Sequence, residues 1–165
     1  MQEYEHWKSL VDLQEYPALP DTVVSRGDDT LDVDDTESYG LVIKPKTDKW
    51  TSIGARISNL SEGATRARLY DFDGEDDYIA TKDISNLSSG DPFAFEDVDL
   101  VDGQEYAIEI DNNGSEWTRG FNADFGDYPV TSDDLDITGR SNDASKNDSD
   151  PVAVNDVGNP DGVLN

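Results

Sequence analysis

The densest run of side chains able to do chemistry is Asp71-Phe72-Asp73-Gly74-Glu75-Asp76-Asp77. Closely spaced carboxylates with a glycine for the bend are what the opening of a calcium loop needs, because calcium takes six to eight oxygen ligands. Asp71, Asp73, Asp76 and Asp77 are therefore the candidate ligands for calcium or another cation. The complete EF-hand pattern does not fit, since its sixth and twelfth positions fall on Asp76 and Lys82 where Gly and Glu are required. The same run also suits a plain hairpin turn with Asp-Gly at its tip. Asp111, Asn112 and Asn113 form a second cluster of the same kind.

Other reactive constellations are scarce. There is one histidine, His6, and no cysteine. Thiol catalysis, Cys-based zinc sites, disulfides and a His-centred triad inside a core are excluded. Glycoside hydrolysis needs only two carboxylates at the correct separation, and 38 Asp and Glu offer too many pairs to single one out. A general acid also needs an apolar pocket to raise its pKa, and a core this small offers little depth. A non-enzymatic role is expected, with no cofactor beyond calcium or other cations.

Two further patterns bear on recognition. Sugar-binding sandwiches present aromatic faces on one surface, and Trp50, Trp117, Tyr70 and Tyr78 are the candidates for glycan or partner contact. Tyr128 is a fifth aromatic of this kind. Core packing or subunit contacts explain such residues equally well. Four Asn-x-Ser sequons occur, at Asn59, Asn86, Asn113 and Asn147, where ten Asn and 24 Ser or Thr predict between one and two by chance. All four fall in expected turns, the sites that N-glycosylation would use.

Composition sets the medium. Twelve Lys and Arg stand against 38 Asp and Glu, for a formal net charge of -26. Solubility alone asks for about 2–8 charges on a small domain. At ordinary ionic strength the excess drives the compact state apart; at about 1 M salt the Debye length falls to about 3 Å and the repulsion is largely screened. The composition thus points to a protein built for concentrated salt. Phosphate recognition needs clustered Lys and Arg, and the nearest cluster, Lys44, Lys46 and Lys49, reads as a solvated turn. Neither nucleic acid nor membrane insertion is expected, since no apolar run approaches the length of a membrane span. The first residues have no basic or apolar region of a signal peptide, so export by the general secretory route on its own is not expected.

The elements that must position these residues read as strands. Gly40–Pro45, Thr51–Ser58, Ala64–Asp71, Tyr78–Ile84, Pro92–Leu100, Gln104–Asp111 and Glu116–Asn122 are apolar or alternating runs separated by turn signals. Asn113-Gly114 predicts a hairpin between the last two. Ile57-Ser-Asn-Leu-Ser-Glu-Gly63 returns as Ile84-Ser-Asn-Leu-Ser-Ser-Gly90, which predicts two similar loops whose Leu60 and Leu87 cap the core. The expected fold is an all-β, antiparallel, jelly-roll-like sandwich of about seven to eight strands. It carries a short N-terminal helix and an extended C-terminal arm.

Three regions follow from this pattern. Residues 1–38 form an N-terminal docking arm, with Trp7, Leu10 and Val11 on one face of a helix over 2–13 and a short strand at 23–25. Acidic residues 26–38 serve as edge strand or linker. Residues 39–138 form the sandwich. Residues 139–165 form a polar linker over 139–150 and a C-terminal arm. Val152 and Val154 of that arm alternate as a strand that could add to a neighbour's sheet edge.

The pieces Gly40-Leu-Val-Ile-Lys-Pro45, Thr65-Arg-Ala-Arg-Leu-Tyr-Asp71, Asp83-Ile-Ser-Asn-Leu-Ser-Ser-Gly-Asp91 and Gly103-Gln-Glu-Tyr-Ala-Ile-Glu-Ile-Asp111 carry a resemblance. The stretch from Gly40 to Phe121 resembles a β-sandwich module that recurs in virion proteins of tailed viruses infecting salt-loving archaea. The resemblance covers about half the chain, and its motifs are structural. It implies capsid decoration, turret or tail-fibre roles, with other copies of the chain and other virion proteins as partners. A host surface glycan or S-layer is a further implied partner. The implied location is the virion, assembled in the host cytoplasm and exposed to hypersaline medium. The alternative reading is a carbohydrate-binding sandwich module of a cell-surface or glycan-degrading system.

Overall fold

The computed structural model describes residues 19, 23–24, 29–33, 39–56, 64–72, 78–88, 90–112, 117–121, 128–142, 145–147 and 156–164. Their elements, in chain order, are β1 (Val23–Val24), β2 (Asp29–Val33), β3 (Tyr39–Pro45), β4 (Ile53–Arg56), β5 (Ala64–Asp71), β6 (Tyr78–Asp83) and β7 (Pro92–Phe95). There follow β8 (Tyr106–Asn112), β9 (Trp117–Phe121), β10 (Val130–Thr131), β11 (Leu135–Asn142), β12 (Ser145–Asn147), β13 (Asp156–Gly158) and α1 (Pro160–Leu164). Among the described residues, no helix is long and apolar enough to cross a membrane.

Eight of the strands make a jelly roll. β1, β13, β4 and β7 hydrogen-bond in that order in one antiparallel sheet, and β3, β8, β5 and β6 in that order in the other. This is the strand order of two interlocked Greek keys. The second sheet is extended beyond β3 by β11, whose other edge takes both β10 and β12. β2 and β9 form a separate two-stranded ladder. In it Val33 pairs with Trp117 and Asp29 with Phe121.

Alternation explains the core. Ala67 and Leu69 of β5, Tyr106, Ile108 and Ile110 of β8, and Leu41 and Ile43 of β3 point to one face of the large sheet. Ile53, Ala55, Phe93, Phe95 and Val157 of the small sheet close on them. Phe93 and Phe95 meet edge to face, with centroids 5.7 Å apart, the geometry that ring quadrupoles favour. β3 approaches β8 closely at Gly40, where a Cβ would collide with the backbone of Ile108 and Glu109. Glycine is required there by space, whatever its conformation.

Antiparallel pairing sorts the strand ends into two poles. Pro45, Ile53, Phe95 and Tyr106 lie at one, and the segments 46–52, 72–77 and 96–105 connect strands there. Arg56, Ala64, Asp83, Pro92 and Asn112 lie at the other, from which 57–63, 84–91 and 113–116 depart. Trp50 ties the first pole together. It is wholly buried, its carbonyl accepts from Leu100 N–H at 3.0 Å, and its indole N–H reaches the Asp134 carbonyl at 3.3 Å.

Several expectations are corrected. The stretch 139–150 is not simply a linker: β11 runs to Asn142 in the body of the large sheet, and β12 pairs with it. Its polar composition concealed this, because Gly139 and Ser141 are buried there without being apolar. The described part of the tail joins the chain's own fold. β13 inserts between β1 and β4 of its own sheet, and Val157 is part of the core. Of the two readings of the acidic stretch 26–38, the edge strand is the one present, as β2 over Asp29–Val33. Among the described residues β8 and β9 do not pair with each other: β8 is flanked by β3 and β5, and β9 pairs with β2. The expected helix over 2–13, with Trp7, Leu10 and Val11, lies outside the described residues, as do Val152 and Val154. The helix that is described is C-terminal.

Candidate functional site

The face of the large sheet turned away from the core is more elaborate than alternation predicts. Position 109 of β8 reads as solvent-facing, yet Glu109 is 2% exposed. Register places Ser141, Gly40, Glu109 and Arg68 side by side across β11, β3, β8 and β5. Ser141 Oγ donates to Glu109 Oε1. Tyr70 Oη lies 3.0 Å from Ser141 Oγ. A hydroxyl has one proton to give, so Tyr70 donates to Ser141 and Ser141 to Glu109. A buried carboxylate survives only with such donors.

Beside this relay lies a paired ion cluster. Arg66 and Arg68 each place Nη2 at 2.5 Å from Asp111 Oδ2. Arg68 also donates from Nη1 to Tyr78 Oη at 2.9 Å and sits 4.8 Å from the Tyr78 ring centroid. Tyr78 crosses Tyr70 at 84° with centroids 6.1 Å apart.

The aromatic candidates separate on burial. Trp50 and Tyr70 are buried, at 0% and 3% exposure, and neither can offer a stacking face to a sugar. That corrects the expectation for both. The reason is packing: Trp50 lies under the pole connections, and Tyr70 is drawn inward by Ser141. Tyr78, 52% exposed, remains available. The Trp117 side chain lies outside what is described. Tyr128 is half-buried against the core.

Of the cation candidates, Asp73, Asp76 and Asp77 lie outside the described residues. The Asp71 carboxylate accepts from Gln104 Nε2 across the same pole. Among the described residues, no three His, Asp or Glu are grouped to hold a metal ion.

Sequence reasoning missed a groove at this pole. A cavity of about 570 Å³ is lined by Leu19, Pro160 and Leu164 on its apolar side, and by Glu96, Asp97, Asp99 and Asp161 around them. Asp97 holds a φ of 56°, a left-handed conformation that Asp tolerates better than most residues. The acidic density of 96–102 was visible in the sequence. The return of the chain terminus to close the groove was not.

Glu105, at the same pole, accepts from Lys146 Nζ at 2.6 Å and from Thr138 Oγ1 at 2.6 Å. Burial pushes its carboxyl up, but both hydrogen bonds and the Lys146 and Lys44 charges together hold it below the ordinary range. A carboxyl lowered in the fold stabilises above its unfolded pKa, and loses that contribution as pH falls through the folded value. Glu105→Gln is therefore expected to cost about 0.5–1 kcal/mol at neutral pH in moderate salt. The difference should close in acid, below the ordinary Glu range. Urea melts of both proteins at pH 7 and pH 3 check this; a gap unchanged between the two would contradict it.

No family model matches the chain, and no curated protein or solved structure matches it.

Proposed function

We propose that this chain is a non-catalytic structural component of a virion surface, working in concentrated salt as capsid decoration, turret or tail fibre. The observation that carries the reading is the disposition of charge on the jelly roll. Asp48, Asp91, Glu96, Asp97, Asp99, Asp102 and Asp133 are all exposed, while Glu109 is the one carboxylate buried among the described residues. Carboxylates that hold water and cations clothe an ordinary apolar core. Jelly rolls serve both viral capsids and lectins, so the fold raises this reading without deciding it.

The isolated β2–β9 ladder adds support for assembly. A two-stranded ribbon is marginal alone in water, and each of its strands has a second edge that no described strand occupies. Other copies of the chain and other virion proteins are its proposed partners. The carbohydrate-binding alternative keeps Tyr78, with Arg68 beside it, as its described aromatic contact.

The test is sedimentation in molar salt together with the protein composition of purified particles. The expected result is an oligomer that co-purifies with other virion proteins. A monomer absent from every particle would overturn the reading. A glycan array at the same salt separates the alternative, which predicts binding that Tyr78→Ala abolishes.

A further inference from the structure

Asn86 stands at the apex of the connection from β6 to β7. The segment is pinned from inside and from both sides. Ile84 is 1% exposed and Leu87 packs against the core, so both flanking apolar side chains turn inward. Leu87 N–H closes the turn on the Ile84 carbonyl at 3.0 Å. Before the apex, Asp83 Oδ1 accepts from Ser85 N–H at 2.9 Å and from Ser85 Oγ at 2.5 Å. After it, Asp91 Oδ2 accepts from Ser88 N–H at 2.8 Å.

This leaves the two groups of the sequon outside. Asn86 and Ser88 are both exposed. Among the described residues, neither the Asn86 carboxamide nor the Ser88 hydroxyl has a hydrogen-bond partner. The residue between them is Leu and not Pro. A turn whose own bonds use only the backbone of Ser88 keeps carboxamide and hydroxyl free together, which is what a transferase reading Asn-x-Ser must find.

Topology adds a second, independent observation. Asp83 ends β6 beside the start of β5, Arg56 ends β4 beside the start of β7, and Asn112 ends β8 opposite Ala64. The segments that carry Asn59, Asn86 and Asn113 therefore leave from neighbouring strand ends. The segment that carries Asn86 leaves from the pole opposite the groove, and the groove-pole segments 46–52, 72–77 and 96–105 contain no sequon.

We propose that Asn86 is an N-glycosylation site, so that the pole carrying the β6–β7 connection bears a glycan. The donor class is a lipid-phosphate-linked oligosaccharide. Asn86 Nδ2 forms a bond to the anomeric carbon of the first sugar, and the bond from that carbon to the phosphate oxygen breaks. The lipid phosphate leaves with the electron pair, and the amide loses one proton. A bulky, solubilising group there would cover the sequon pole and leave the acidic groove at the other pole accessible. The inference stands apart from the assembly role, and it requires that the chain meet this donor, against the expectation that it is not exported by the general secretory route on its own.

The test is the mass of the peptide carrying Asn86, from full-length chain purified from its natural source at molar salt. The expected result is a sugar increment localised to Asn86 by fragmentation. In the same cells Ser88→Ala should remove the increment from that peptide, and Ser88→Thr should retain it. Ser88 is exposed and only its backbone is bonded, so both variants should fold, which circular dichroism checks. An Asn86 peptide found only at its unmodified mass would overturn the proposal, as would an increment that persists in Ser88→Ala.

Discussion

Transfer from about 1 M to about 0.1 M salt is expected to unfold this protein, or to lower its melting temperature by tens of degrees. The Debye length grows from about 3 Å to about 10 Å over that range. Smearing 26 charges over a folded sphere of roughly 20 Å radius, against a far larger expanded chain, gives a screened repulsion. Desalting raises it by on the order of 10 kcal/mol more in the folded state. Total stabilities are themselves about 5–15 kcal/mol. Real carboxylates are hydrated and spread over an uneven surface, so the figure is an upper one, yet a third of it would move the midpoint by about ten degrees. Among the described residues, exposed carboxylates gather around the groove and at Asp133, at one pole. Thermal melts followed by circular dichroism across a salt series decide it. A melting temperature independent of salt would show that the charge is neutral for stability. Potassium and sodium chloride should act alike if screening is the cause.

Trp50→Ala is expected to cost about 3–5 kcal/mol, the usual toll for removing a large aromatic side chain from a core. The indole is wholly buried, and it lies where the β3–β4, β7–β8 and β10–β11 connections meet. The Leu100 and Val98 amides bond to the carbonyls of Trp50 and Thr51 at 3.0 Å, and the indole N–H is spent on the Asp134 carbonyl. Removal opens a cavity and frees three connections at once. Trp50→Phe should restore most of the packing but not the hydrogen bond, and lose about 1–2 kcal/mol. Denaturant midpoints in molar salt read both. If Trp50→Ala melted within a few degrees of the parent, Trp50 would not be a keystone of this pole. Its value as a glycan contact would then have to be reconsidered.

Much of the jelly roll was legible because most of its strands carry a period-two pattern with little ambiguity. Gln104–Asp111 announced Tyr106, Ile108 and Ile110 as inward, and they are buried. Ala64–Asp71 did the same for Ala67 and Leu69. The repeated Ile-Ser-Asn-Leu-Ser motif announced Leu87 as a cap, and it packs on the core. Each of these is a local property: the residue's neighbours in the chain suffice to state it.

Other features required partners distant in the chain. β11 was hidden because Gly139, Arg140 and Ser141 are polar or small, and Glu109 and Tyr70, 32 and 71 residues away from Ser141, make that polarity tolerable. β13 is three residues long, too short for any pattern, and exists because β1 and β4 flank it. Trp50 reads as a loop aromatic until Leu100 and Asp134 close over it. The β8–β9 pairing that Asn-Gly at 113–114 signals is absent among the described residues, because β8 has both edges taken.

The same division applies to the site residues. Sequence alone determined that no cysteine thiol is present for catalysis, that acidic residues far outnumber basic ones, and that four sequons exist. Tertiary structure alone decided which aromatics face solvent and that Glu109 is buried. It also gathered Glu96, Asp97, Asp99 and Asp161 around one groove, while the Asn86 sequon went to the opposite pole. The physical reason is the pleat. A strand specifies which side chains alternate, but which face is covered, and which strand end meets which, depends on pairings that only the folded sheet supplies.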